Sequence, residues 1–131
     1  MIVAESHTPV DMKRIHKRIG CARLSFGKPD LLLATLGVAP GSVTAFSVIN
    51  DTERTVEVIL DETLTAFDVI NCHPLENTAT TAIARDDLFR FLAETGHTPR
   101  IMPLGPEAPS DDAARRAPAS TSVRAAIASQ A

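Results

Sequence analysis

Apolar positions along this chain change period several times, and each change marks an expected element. Met1 to Ala4 is a short apolar run that reads as a strand. Thr8-Pro9 supplies a helix cap followed by proline at the first helical position. Val10, Met12, Ile15 and Ile19 then form an apolar stripe, which Gly20 ends. Leu24 to Phe26 reads as a short strand, and Pro29 to Leu36 as a short helix stopped by Gly37. Phe46 to Ile49 and Thr55 to Leu60 read as two strands joined by a polar hairpin loop, Asn50 to Arg54. Glu62 to Phe67 is a short helical or irregular piece, and Thr78 to Ile83 another strand, rich in threonine. Arg85-Asp86-Asp87 opens the most regular helix, with acids in its first turn and Leu88, Phe89, Phe91 and Leu92 inside. Gly96 closes it, and Arg100 to Met102 returns as a strand. Irregular alternation of this kind predicts a mixed α/β sheet in one domain, 1–104.

Beyond Leu104 the pattern breaks down. Residues 105–131 hold nine alanines and three prolines but no Leu, Phe or Tyr. Such a segment buries too little apolar surface to offset the entropy of ordering, so a disordered Ala/Pro-rich tail is expected. The whole chain is 44% hydrophobic, with five Phe and neither Trp nor Tyr, so aliphatic side chains must fill its core. Its net charge of −3 gives no global attraction to nucleic acid, and any RNA contact must be local. One segment could supply that contact. Between Met12 and Lys28 stand six cations, Lys13, Arg14, Lys17, Arg18, Arg23 and Lys28, and no acid. They form either a solvated helix face or a phosphate-holding one. Cys21 and Cys72 lack metal-ligand spacing, and no metal or cofactor is expected. No apolar run approaches the ~20 residues that span a membrane. The N-terminus lacks a basic-then-apolar signal pattern, and a reduced, cytoplasmic protein is expected.

Candidate chemistry concentrates at Asn71-Cys72-His73-Pro74-Leu75-Glu76-Asn77-Thr78-Ala79-Thr80-Thr81. Pro74 fixes its own φ and restricts His73 to extended backbone, which sets an imidazole on a stiff corner. A histidine there can donate, accept or shuttle a proton at neutral pH, or simply be a structural side chain. Asn77, Thr78 and Thr80 can line a tight pocket, or serve as turn and strand residues. The loop Gly37 to Thr44 carries two glycines and Pro40. A stiff turn with free amides can bind a carbonyl or a developing oxyanion, and it can equally be an ordinary connection.

The stretch Asn71-Cys72-His73-Pro74-Leu75 with Asn77-Thr78-Ala79-Thr80-Thr81 resembles the N-x-HPL-x-NTAT signature of the prolyl-tRNA editing proteins. These are relatives of the YbaK domain and of the editing insertion of bacterial prolyl-tRNA synthetase. Three further stretches resemble that family in the same order: Arg23 to Gly27 (RLSFG), Leu36 to Thr44 (LGVxPGSVT) and Asp86 to His97 (DLxxFLxxTGH).

The resemblance implies a curved, barrel-like mixed sheet with helices around it. It implies an aminoacyl-tRNA deacylase that clears mischarged tRNA(Pro), alanyl-tRNA(Pro) above all, with prolyl-tRNA synthetase as a possible associate. His73 would hold the aminoacyl end or the attacking group, and Gly37 and Gly41 would supply backbone donors. Pro40, Ser42, Asn77, Thr78 and Thr80 would line the pocket, while Lys13, Arg14, Lys17 and Arg18 would bind tRNA. The chain departs from the family at its start. The N-terminal helix and strands that carry an important lysine have no counterpart, so an N-terminally truncated domain is expected, and no lysine here is given that role. Ala45 stands where proline is more usual, and Cys72 where an aromatic is. The alternative is a catalytically impaired remnant acting as a tRNA-binding or protein-interaction module.

Overall fold

The computed structural model describes residues 1–76, 78–106, 120–126 and 128–130. Its centre is a six-stranded mixed sheet in the order β5-β4-β7-β1-β3-β6. The strands are β1 (Ile2–Glu5), β3 (Ile59–Asp61), β4 (Val69–Cys72), β5 (Thr81–Ala84), β6 (Arg100–Met102) and β7 (Ser120–Ala126). β1 runs parallel to β3, and β3 parallel to β6. β4 pairs antiparallel with β5 and parallel with β7, which in turn lies antiparallel to β1. A separate ribbon joins β2 (Leu24–Phe26) to β8 (Ala128–Gln130).

Strand alternation divides the core into two layers. Val3, Leu60, Ile70 and Cys72 point into one buried cluster, roofed by Leu32 and Leu36 of α2 (Pro29–Leu36) and by Leu88 and Leu92 of α3 (Arg85–Glu94). Ile2, Ala4 and Ile59 point the other way, onto Ile15 and Ile19 of α1 (Ile15–Ile19) and onto Leu104. Phe46 and Phe91 meet edge to face at 5.4 Å on the first layer. No described helix is long and apolar enough to cross a membrane.

Several expectations hold to the residue: β2, α2 and β6 lie where the pattern puts them. Others need correction, each for a local reason. The first helix does not begin at Thr8-Pro9. The Asp11 side chain accepts the Lys13 amide and the Asp11 carbonyl takes the amides of Arg14 and Ile15, so turns replace the first helical coil. Phe46 to Ile49 is a 3₁₀ segment (Ala45–Asn50) and not a strand. Ser47 Oγ accepts the Thr44 amide at 3.1 Å while the Ser47 amide donates to the Thr44 carbonyl, which winds the chain. Thr55 and Val56 donate their amides to the Asp51 carboxylate, which leaves only Ile59–Asp61 for the sheet. The Thr78 strand shortens to Thr81–Ala84.

Two larger expectations also change. Among the described residues β5 and β6 form opposite ends of the sheet and do not pair, so the sheet is open and not a closed barrel. Ser120–Ala126 lies in the sheet between β1 and β4, where a disordered tail was expected. The tail reading of 107–119 falls outside the described residues.

Candidate active site

β4 ends at Cys72, and residues 73–80 connect it to β5, with Cys72 opposite Thr81. His73 is the first residue past the strand and is half-buried. Its Nδ1–H donates to the Ala79 carbonyl at 2.8 Å, so the ring closes the hairpin loop on itself. A carbonyl can only accept, which fixes the tautomer of the neutral ring and leaves the Nε2 lone pair to act as acceptor or base. Leu75, two residues on, takes a left-handed φ of 69°, which completes the bend that Pro74 begins. Thr78 and Thr80 are exposed on this loop, and Asn77 lies outside the described residues.

Cys72 points the opposite way, into the first core layer, and is 1% exposed. Burial pushes its thiol up to about 12, so it remains a protonated, unreactive small hydrophobe.

The second candidate segment follows α2. Gly37 has φ 66° and its amide donates to the Leu33 carbonyl at 3.1 Å, which is a left-handed helix stop. That amide is therefore engaged, and Gly37 does not supply the donor expected of it. Asn50 Nδ2 donates to the Leu36 carbonyl at 2.8 Å and covers Gly37 so closely that a Cβ there would sit 2.9 Å from it. Ala39-Pro40-Gly41-Ser42 forms a turn closed by Ser42 N–H to Ala39 O at 3.0 Å, with φ 87° at Gly41. Proline at the second position and a positive-φ glycine at the third define a type II turn. The Gly41 amide, exposed at its crest, donates to no described residue. Val38 and Val43, flanking the turn, pack on the cluster that also buries Cys72. The turn and Cys72, the residue before His73, thus rest on one core layer, and among the described residues no hydrogen bond links the turn to His73.

The basic segment divides by role. Lys13, Arg14, Lys17 and Arg18 are all exposed. Arg18 donates to the Gly105 carbonyl at 2.7 Å and to the Pro103 carbonyl, tying the stretch after β6 to α1. Arg14 faces Asp11 at 3.9 Å, a loose exposed pair.

One polar cluster was not singled out from the residues. His97 Nε2–H donates to Asp51 Oδ2 at 2.8 Å, and both side chains are almost fully buried. Asp51 also accepts the amides of Thr55 and Val56 and the Thr55 hydroxyl. Burial alone would raise its carboxyl, but His97 and these donors outweigh that and hold it at about 2, below the usual 3.8. Gly96, with φ 82°, turns the chain so that His97 enters the core. The TGH letters therefore encode a helix stop and a buried tie. A histidine behind a helix-stop glycine was the available signal, but its partner stands 46 residues away.

An imidazole oriented through Nδ1, with Nε2 left as an acceptor, has the form of a general acid–base group. The model of the aminoacyl-tRNA editing domain matches residues 1–91, and the chain belongs to that family. It is 38% identical over 104 residues to prolyl-tRNA synthetase associated domain-containing protein 1 of Danio rerio, covering 78% of this chain and 56% of that protein. It is 32% identical over 104 residues to the prolyl-tRNA editing protein ProX of Acetoanaerobium sticklandii, covering 79% and 63%. The Mus musculus protein with the same name as the first is 29% identical over 86 residues, covering 64% and 50%. The chain thus spans between half and two-thirds of the length of these relatives.

Proposed function

We propose that this chain is an aminoacyl-tRNA deacylase acting on mischarged tRNA(Pro), with alanyl-tRNA(Pro) as its first substrate. The observation that carries the reading is the Nδ1 tether of His73 to Ala79, which leaves Nε2 open at a corner stiffened by proline. In this reading water attacks the ester carbonyl, His73 Nε2 takes a proton from the water or positions it, and the bond to the terminal ribose oxygen breaks. That oxygen leaves protonated, and alanine is released. The Gly41 amide is the donor for the developing oxyanion. In this reading Pro40, Ser42, Thr78 and Thr80 are the candidates for a pocket that takes a methyl side chain and excludes proline by size, with Asn77, outside the described residues, carried over from the sequence motif alone. Aminoacylated tRNA(Pro) is the partner, and prolyl-tRNA synthetase the associate from which it is handed over.

The test is release of labelled alanine from alanyl-tRNA(Pro) by the purified chain. Parent protein should exceed the buffer rate, and His73→Ala should slow release by about a hundredfold, the usual size of a general acid–base contribution. Release no faster than buffer sinks the deacylase reading for this chain. A second reading, a tRNA-binding module without turnover, is favoured by the exposed cations in and just before α1, Lys13, Arg14, Lys17 and Arg18. Salt-sensitive tRNA binding with no alanine release would support it.

A further inference from the structure

Two described residues other than glycine have left-handed backbone, Arg54 at φ 57° and Leu75 at φ 69°. Arg54 closes a turn, its amide donating to the Asp51 carbonyl at 3.1 Å, and its side chain lies across Gly96. Among the described residues, neither a backbone hydrogen bond nor a place in either core layer accounts for the same backbone at Leu75. A leucine side chain crowds its own backbone at positive φ, and glycine or asparagine would take the bend at lower cost. Packing does not offset that cost, because Leu75 remains 39% exposed. The other large apolar residues that face solvent, Phe26, Leu31, Leu33, Ile49 and Ile101, all lie on ordinary helical or strand backbone. Strain and apolar exposure therefore coincide at one described residue. It stands two positions after His73, inside the loop that the His73 Nδ1 bond to Ala79 closes.

Backbone strain that the fold does not offset is kept where a side chain serves function. We infer that Leu75 is a specificity-determining residue of the His73 site, the apolar contact for the side chain of the aminoacyl group. The inference rests on the deacylase reading and deepens it by naming a group that recognises the amino acid. An ester carbonyl within reach of His73 Nε2 lies against the loop 73–79, and the first side-chain carbon of the amino acid is two bonds from the carbonyl carbon. Of the described residues between His73 and Ala79, Pro74 is half-buried and Glu76 and Thr78 are polar, so Leu75 is the exposed apolar surface there. A methyl group set on Leu75 removes apolar surface of both partners from water, which a glycyl group cannot do. The bound amino acid thus supplies the burial that the fold leaves out.

The experiment titrates the full 131-residue chain with 3′-alanylamino- and 3′-glycylamino-3′-deoxyadenosine, followed by NMR shifts. In both compounds an amide replaces the ester, so hydrolysis is blocked. The parent should prefer the alanyl compound by about tenfold, the low end of what one methylene contributes in an apolar pocket. Leu75→Gly and Leu75→Asn, both suited to left-handed backbone, should bring that preference within about twofold of unity. Leu75→Met keeps an apolar side chain and should retain it. The readout is a ratio within each variant, so a loss of fold, which weakens both compounds together, does not imitate the result. Strain is checked separately by urea unfolding: Leu75→Gly should have a higher midpoint than Leu75→Ala, which lacks the side chain but keeps the strain. No binding or no preference in the parent, a preference that survives in Leu75→Gly and Leu75→Asn, its loss in Leu75→Met, or the reverse order of midpoints would overturn the inference. Alanine release from alanyl-tRNA(Pro), assayed in parallel, separates the two claims. A preference that depends on residue 75 without alanine release leaves the contact standing and removes the deacylase reading. His73-dependent release with a preference indifferent to residue 75 removes the contact alone.

Discussion

His97 and His73 show how differently one residue type can be used within a small domain. His97 is 3% exposed and bound to a carboxylate, whereas His73 is half-exposed and bound to a backbone carbonyl. The first is a tie between distant segments. His97→Ala would leave the buried Asp51 without its imidazole partner, with only Thr55 and the backbone amides bonded to it, and breaking such a pair costs about 3 kcal/mol or more. Urea unfolding should show a lower midpoint with an unchanged slope; a midpoint within error of the parent would rule the tie out. The carboxyl itself gives a pH signature. Its folded value is about 2 against 3.8 for the ordinary side chain, so the folded state binds that proton less readily than the unfolded one. The stability it contributes is fully present above pH 3.8 and is lost as pH falls toward 2. Asp51→Asn should flatten that part of the urea-midpoint profile. At this scale the His73 corner was legible because Pro74 acts on its neighbour. The Asp51–His97 pair was not, since nothing local links residues so far apart in sequence.

Elements were legible where a stop signal accompanied the pattern. Pro29 at the start and a left-handed Gly37 at the end bound α2 unambiguously, and Leu32 and Leu36, four apart, face inward. Phe46 to Ile49 had no such punctuation. Three apolar residues in a four-residue stretch fit strand and helix alike, and the exchange of bonds between Thr44 and Ser47 decided it. Thr55 and Val56 have strand-forming side chains, but their amides were claimed by a carboxylate. The end of α3 offers a test at this level. Gly96 has a positive φ, and a Cβ there would lie 2.3 Å from Arg54 Nε. Gly96→Ala should destabilise by about 1 kcal/mol from backbone conformation, because the exposed, flexible Arg54 side chain can swing aside. Adding Arg54→Ala should therefore recover little. Thermal melts of the single and double variants measure both, and full recovery in the double variant would mean that the left-handed turn carries no cost.

At the scale of the molecule the last strand matters most. β7 pairs along four residues with β1 and along three with β4, so it joins the β4–β5 hairpin carrying His73 to the β1–β3–β6 body. Its composition hid this. Alanine, serine and threonine do not form the apolar run that marks a central strand, and the segment lies after a proline- and alanine-rich stretch. A strand at this place is held by its neighbours' backbones, which periodicity does not report. A chain ending at Pro106 should therefore expose two four-residue sheet edges, one on β1 and one on β4. The expected result is a large drop in melting temperature, or association visible by light scattering, with loss of any His73-dependent alanine release because the hairpin is no longer anchored. Ser122→Pro in the full chain is the milder test. Proline in the middle of a sheet removes a ladder hydrogen bond and should lower the melting temperature in the same direction. If the shortened chain melts at the parent temperature and remains monomeric, residues 120–126 lie outside the cooperative fold, and the central place of β7 must be given up.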